Sequence, residues 1–279
     1  MIRASLLGPL PPDALHVMTF NVRRRLGALS PRRADRWGER RPRVAALLRA
    51  EQPTVLGVQE AMPDQAAAIG DALGESYRQV GHGRRSDGTG EACPVYYDAD
   101  RLELLDWSQE ALSDTPTIPG SMSWGNRMPR VQVRLALQDR ATGATFAFVN
   151  THLDPFSRRS RVRAAAALRE GARLTGGPCI VAGDLNAGVG SSTLRELLAD
   201  DVLQDAWTTA RRRETPAWGT FANYRSPKSG AGRIDWLAVS ASVEVLRVGI
   251  NARRYDGGWP SDHLPVQAHV RVRPGEERG

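Results

Sequence analysis

The chain has only two cysteines in 279 residues, Cys93 and Cys179. That excludes a disulfide framework and any zinc site built from a cysteine cluster. Long apolar runs are missing too, and no stretch approaches the ~18 residues of a membrane span. The first dozen residues carry one early charge and too short an apolar segment for a secretory leader. Aromatic residues are only 6% of the chain, so no aromatic-rich basic groove for nucleic acid is readable. Lysine is nearly absent, Lys228 standing against 37 arginines. So strong a skew has the look of a coding bias, and many of these arginines are expected to be solvated surface.

What is present describes an ordinary globular protein. Hydrophobic residues make up 41% and charged residues 25%, too apolar for disorder and long enough for a full core. The expectation is one soluble cytoplasmic domain over 1–279, with its core at about 15–272 and short flexible termini. No membrane span and no obligate protein partner are expected. The net charge of +7 is localised. Residues 23–43 hold nine arginines against Asp35 and Glu39, so this window alone carries +7 and the remainder balances. Arg158, Arg159, Arg161 and Arg163 form a second cluster. Localised arginine suits a phosphate-bearing partner, because the guanidinium fork matches phosphate oxygens. Charge does not separate nucleic acid from a small phosphorylated substrate.

Strand-like apolar runs recur at Leu15–Phe20, Val55–Val58, Val95–Tyr97, Val131–Leu137, Thr145–Val149, Ile180–Ala182, Ile234–Val239 and Val243–Val248. Helical spacing joins Val44, Leu47 and Leu48, then Ala66, Ile69 and Leu73, then Val162, Ala165, Ala166 and Arg169. Thr193 with Glu196 has the form of a capping box. The segments 139–143 and 240–242 read as hairpin turns. Residues 113–129, with three prolines and no periodicity, read as a long functional or mobile loop. The mixture predicts an α/β protein with a mixed sheet, or two packed sheets, flanked by helices.

The chemistry stands at the strand ends. Phe20-Asn21, Gln59-Glu60, Asn150-Thr151-His152-Leu153-Asp154 and Gly183-Asp184-Leu185-Asn186 each close a run. Arg233-Ile234-Asp235 opens one, and Ser261-Asp262-His263 precedes the last. Ligand sites in α/β sheets gather where strands end in loops. Each residue alone has an ordinary explanation as a turn former, cap or core partner. Together, Asn, Glu, Asp and His form the hard-oxygen and imidazole set expected for Mg²⁺ or Mn²⁺. Asp235 lies inside an apolar run and needs a partner, either Arg233 or His263.

In this order, the motifs resemble those of the endonuclease/exonuclease/phosphatase superfamily, which has the fold of deoxyribonuclease I, and they cover residues 18 to 270. Trp37 with Arg40-Arg41, Gly90-Glu91, Leu112-Ser113-Asp114 and Gly219-Thr220-Phe221 are similar to a bacterial branch of it. The resemblance implies a four-layer α/β sandwich, two mixed β-sheets packed face to face and flanked by helices. It implies a metal-dependent phosphoesterase with Mg²⁺ or Mn²⁺ held by Glu60, with Asn21 beside it and Asp262 contributing. By the same resemblance Asp184 orients or deprotonates the attacking water and Asn186 fixes that water or a phosphate oxygen, while His152 and His263 donate to phosphoryl oxygens and Asp235 orients His263. Arg41, Asp154, Glu91 and Trp124 are candidate substrate contacts, although a tryptophan such as Trp124 or Trp259 is more often a packing residue. The leading expectation is a phosphodiesterase, with a nuclease narrowly first because arginine near the site suits a polyanion. The alternatives are a phosphomonoesterase on inositol phosphates or nucleotides, and a non-catalytic phosphate-binding module. The Asn-Thr-His motif argues against the abasic-site endonuclease branch.

Overall fold

The structure is a computed structural model that describes residues 4–26 and 30–272. The outermost ends, 1–3 and 273–279, part of the termini expected to be flexible, lie outside the described residues. β1 (Leu15–Asn21), α1 (Trp37–Glu51), β2 (Val55–Gln59) and α2 (Pro63–Leu73) come first. Five strands follow without a helix: β3 (Tyr77–Val80), β4 (Val95–Asp98), β5 (Leu102–Ala111), β6 (Val131–Asp139) and β7 (Thr145–His152). Then come α3 (Arg158–Thr175), β8 (Cys179–Asp184), α4 (Ser192–Leu197), β9 (Gln204–Asp205), α5 (Ala206–Thr209) and β10 (Arg212–Arg213). β11 (Asp235–Val239), β12 (Val243–Ile250) and β13 (Val266–Val272) close the chain.

Among the described residues these strands form two mixed sheets, ordered β10-β12-β13-β1-β2-β4-β3 and β5-β6-β7-β8-β11-β9. Strand alternation decides the layers. In β1, Leu15 and Val17 face the second sheet, in one core with Val133, Leu135, Phe148 and Leu237. Met18 and Phe20 face the other way and pack under Val44, Leu47 and Leu48 of α1 and Ile69 of α2. On the far side, Ala165 and Leu168 of α3 and Leu194 of α4 cover Val149 and Val181. The order is helix, sheet, sheet, helix: the four-layer sandwich. Both cysteines are buried in these cores.

Two local expectations change. Ser240-Ala-Ser242 is no hairpin, because β11 belongs to the second sheet and β12 to the first. Turn chemistry shortens the connection but does not say which sheet the next strand joins. The α4 cap is Ser191, whose hydroxyl accepts from the Leu194 N–H at 3.2 Å, while Thr193 lies buried inside the helix. The 113–129 loop is folded on itself. Ser121 bonds to Ser113 and Thr115, and Trp124 Nε1 donates to Asp114. The N-terminal arm is tied down at Glu51, which accepts from the Ser5 hydroxyl and the Leu6 N–H, and Leu7 is fully buried.

Candidate active site

Strand pairing brings the motif residues to one end of both sheets. β1 and β2 run parallel with Asn21 opposite Gln59, so Glu60 emerges beside Asn21. β7 and β8 also run parallel, with His152 opposite Asp184. β11 is antiparallel to β8, which sets its first residue, Asp235, opposite Asp184. Asn21 joins the two sheets, its amide donating to Glu60 Oε1 at 3.0 Å and to Asp184 Oδ2 at 2.9 Å. Glu60 and Asn186 both have left-handed backbone, with φ of 64° and 48°, as does Arg23 with 55°. Such positions cost on the order of 1–3 kcal/mol each, and they cluster at functional sites.

Asp184 lies between two imidazoles, with Oδ2 at 3.6 Å from His152 Nε2 and 3.8 Å from His263 Nδ1. Its Oδ1 accepts from the Asn186 N–H, and the Asn186 amide donates to the Leu153 carbonyl. His263 Nδ1 is 2.9 Å from Asp235 Oδ2, so the buried carboxylate pairs with His263 and not with Arg233. Arg233 instead makes a bidentate ion pair with Asp205, donating two hydrogen bonds at 2.9 and 2.5 Å. Thr220 locks the pair from behind. Its hydroxyl accepts from the N–H groups of Ile234 and Asp235, and its carbonyl accepts from Leu264.

The electrostatics divide the histidines. Burial opposes charge on His263, but Asp235, Asp184 and Asp262 outweigh it and push the ring up to about 10. His263 is therefore an imidazolium at neutral pH, with Nδ1–H committed to Asp235. Burial pulls His152 down to about 4, helped by Arg130 and Arg84, so His152 is neutral. Burial, reinforced by the Asp235 charge, raises Asp184. Burial raises Asp262 as well. Glu60 goes the other way. Burial works against its charge, yet the two histidines, the Arg24 N–H and the Asn21 amide hold it near 2.

A divalent cation fits Glu60 and Asp262. The Arg23 guanidinium already stands between them, 4.0 Å from Glu60 and 3.5 Å from Asp262, so positive charge is favoured there. The partly buried Glu60 and the buried Asp262 supply carboxylate oxygens, the hard donors Mg²⁺ or Mn²⁺ takes. Asn21 holds Glu60 in register with Asp184 through its amide N–H groups, while its own oxygen accepts the Arg23 N–H. Asp184, Asp235 and His263 also converge within 4.8 Å. That group is a second candidate set of metal donors, although its His263 Nδ1 already lies 2.9 Å from Asp235 Oδ2.

The cleft above these groups has a volume of about 490 Å³. Arg24, Arg84, Glu91 and Arg130 wall it on the His152 side, and Phe221 packs on His263 with ring centroids 5.0 Å apart. Glu91 pairs with Arg24 at 3.3 Å and with Arg84 at 3.0 Å. Arg130 is buried, and its Nε and Nη1 have no hydrogen-bond partner among the described residues. Of the expected substrate contacts, only Glu91 lines the cleft. Arg41 is exposed on α1, outside the lining residues. Its neighbour Arg40 is the one beneath the site, fully buried and donating to the carbonyls of Val22, Arg23, Arg24 and Asp35. Trp124 is buried against Leu112 and Val149. Asp154 caps a turn, accepting from the Phe156 and Ser157 N–H groups, and lies 3.5 Å from Arg130. Sequence reading missed Arg84 and Arg130 as cleft residues. It quoted Asn150 and Thr220 only as motif letters, yet Asn150 ties the sheets through Gln59 and the carbonyls of Val58, Cys93 and Pro94.

Comparison with known proteins agrees with this architecture. The sequence model of the Endonuclease/Exonuclease/phosphatase family matches residues 18–263. No curated protein sequence matches. A mannosyl-6-phosphatase of Bacteroides thetaiotaomicron is 29% identical, with a TM-score of 0.85 over 92% of this chain and 99% of that one. A family protein from Bacteroides vulgatus is also 29% identical, with a TM-score of 0.85 over 93% and 99% of the two chains. The human nocturnin catalytic domain, 19% identical with a TM-score of 0.71 over 94% of each chain, shares the fold. The chain belongs to the endonuclease/exonuclease/phosphatase family.

Proposed function

We propose that this protein hydrolyses phosphodiesters with a divalent cation, Mg²⁺ or Mn²⁺, at the cleft around Asp184. The observation that carries the reading is the row His152, Asp184, His263, tied through Asn21 to the ionised Glu60. A cation held by Glu60 and Asp262 supplies polarisation of the phosphoryl oxygen and neutralisation of its charge. Asp184, raised by burial, accepts the proton of an attacking water that Asn186 helps to fix. His263 donates from Nε2 to a non-bridging oxygen as negative charge builds, with Asp235 holding its tautomer. His152, neutral, offers a second hydrogen bond on the opposite side.

A diester has two substituents, and the cleft is lined on both flanks of this row. Arg24, Arg84 and Arg130 stand on one flank; the half-exposed Phe221 stands on the other, and the exposed Phe156 also lines the cleft. A nuclease is the favoured form, because arginine and exposed rings suit a backbone and its bases. A second reading is a phosphomonoesterase on a hydroxyl-rich alcohol. Glu91, set between Arg24 and Arg84, is suited to sugar hydroxyls, and a related protein is a mannosyl-6-phosphatase.

The test is hydrolysis of bis(p-nitrophenyl) phosphate beside p-nitrophenyl phosphate, with Mg²⁺ or Mn²⁺ and with chelator, in wild type and His263→Ala. Chelator-sensitive diester cleavage, lost in the variant, is expected. Monoester cleavage alone would replace this reading with the second. A nuclease would also lose affinity steeply with salt, where a small-substrate enzyme would not.

A further inference from the structure

A second basic cavity of about 330 Å³ lies beside the cleft, lined by Arg33, Glu39, Arg43, Tyr224, Arg254 and Trp259. One chain of contacts connects its wall to the catalytic residues. The Tyr224 hydroxyl donates to Asp35 at 3.0 Å, Asp35 is 3.5 Å from Arg23, and Arg23 is 3.5 Å from Asp262. Trp259 also leads directly into Pro260-Ser261-Asp262-His263, so backbone and side chains both join the two sites.

Three guanidinium groups line this cavity against one carboxylate, Glu39, which is 2.9 Å from Arg33 and 4.0 Å from Arg43. Among the described residues the lining is thus mostly basic. The groups are held in place before any ligand arrives. Arg254 stacks on the Trp259 ring at 4.0 Å. Tyr255 and Gly258 exchange backbone hydrogen bonds at 2.8 and 3.0 Å, with φ of 46° at Asp256 and 74° at Gly257, a type I′ turn. A Cβ on Gly258 would sit 2.5 Å from the Arg43 Cζ, so the guanidinium lies against bare backbone. The Trp259 indole N–H has no hydrogen-bond partner among the described residues. Preset planar guanidinium forks match the oxygens of a phosphate group.

We propose that this cavity is a second phosphate-binding site, which takes a phosphate of the substrate other than the one hydrolysed. The assignment rests on the phosphoester-hydrolase reading of the neighbouring cleft. That phosphate belongs either to a small bisphosphate or to the next position of a polynucleotide.

Inorganic phosphate titrated into ¹⁵N-labelled, metal-free protein tests the site without catalysis. The indole resonance of Trp259, assigned with Trp259→Phe, should shift and saturate in wild type and equally in His263→Ala. Arg43→Glu should weaken the binding at least tenfold. Arg33→Glu, at a mostly exposed position where folding is not at risk, should weaken it in the same direction. A resonance that does not move, or one that moves equally in all four proteins, overturns the proposal. The source is read from kcat/KM on a hexose bisphosphate and on a short oligonucleotide, each relative to bis(p-nitrophenyl) phosphate. Arg43→Glu should lower one of these ratios at least tenfold, and two unmoved ratios overturn the substrate role. A saturable shift in a wild type that cleaves no phosphoester would keep the anion site and remove the hydrolase reading instead.

Discussion

Asp235→Asn isolates the contribution of the His–Asp pair. In the folded protein His263 titrates at about 10, against 6.5 for an unperturbed histidine. That difference corresponds to ~5 kcal/mol in favour of the charged ring. Burial opposes it, and Asp235 is the foremost of the carboxylates that overcome burial, ahead of Asp184 and Asp262. Its oxygen is also the nearest, 2.9 Å from Nδ1 against 3.8 Å for Asp184. Assigning somewhat more than half of the effect to Asp235 gives ~3 kcal/mol, or about 10²-fold in rate if that charge matters at the transition state. An asparagine keeps the shape and loses the charge. Steady-state hydrolysis should therefore show kcat down by about 10²-fold or more with KM nearly unchanged. Linkage gives a second readout. A folded value above the unfolded 6.5 means that the stabilisation is full below about pH 6.5 and is lost as pH rises to about 10. The variant should flatten that alkaline loss and bring the ring's NMR titration down. A ring that still titrates near 10, with kcat within about twofold of wild type, would refute the reasoning.

Other perturbations follow from the same contacts. Arg40→Met leaves four carbonyls without their donor and should lower stability by roughly 3 kcal/mol, about 5 °C in Tm; an unchanged melting curve would contradict the role given to Arg40. Gly183→Ala drives a Cβ into the Thr151 carbonyl, where β7 and β8 pair, and should cost ~3 kcal/mol and most activity. Gly177→Ala, with open space around it, should stay within about 0.5 kcal/mol in denaturant unfolding. On the acid side, burial depresses His16 and carries His269 to about 3, so their stabilisation is present above pH 6.5 and lost as pH falls. His269→Leu should reduce the acid slope of stability by up to ~1.4 kcal/mol per pH unit, measured by chemical denaturation between pH 4 and 6.5, about one proton's worth.

Much of this fold was legible because its strands are apolar runs that stop abruptly at polar residues. β1, β2, β7, β8, β11 and β13 all carry such punctuation, and all six supply the site. β3 and β5 went unread, since these edge strands are only half covered and their residues, such as Glu103, Asp106 and Ser108, alternate poorly. The pairing of Asp235 with His263 was open in the sequence because Arg233 stood two residues away. Distance along the chain says nothing of Asp205, which takes Arg233 out of the competition. Arg40 and Arg41 are adjacent letters, yet one helical step turns the first under the loop and the second to solvent. Arg84 and Arg130 lie 46 residues apart in segments without motif, so only the packed chain brings them to one wall.

The central claim is phosphoester hydrolysis dependent on a cation held at Glu60. Its most direct test is the Mn²⁺ and Mg²⁺ concentration dependence of bis(p-nitrophenyl) phosphate hydrolysis by wild type and Glu60→Gln. The account predicts no activity in chelator and a half-activating metal concentration at least tenfold higher in the variant. Identical metal dependence in the two proteins, or full activity in chelator, would contradict it.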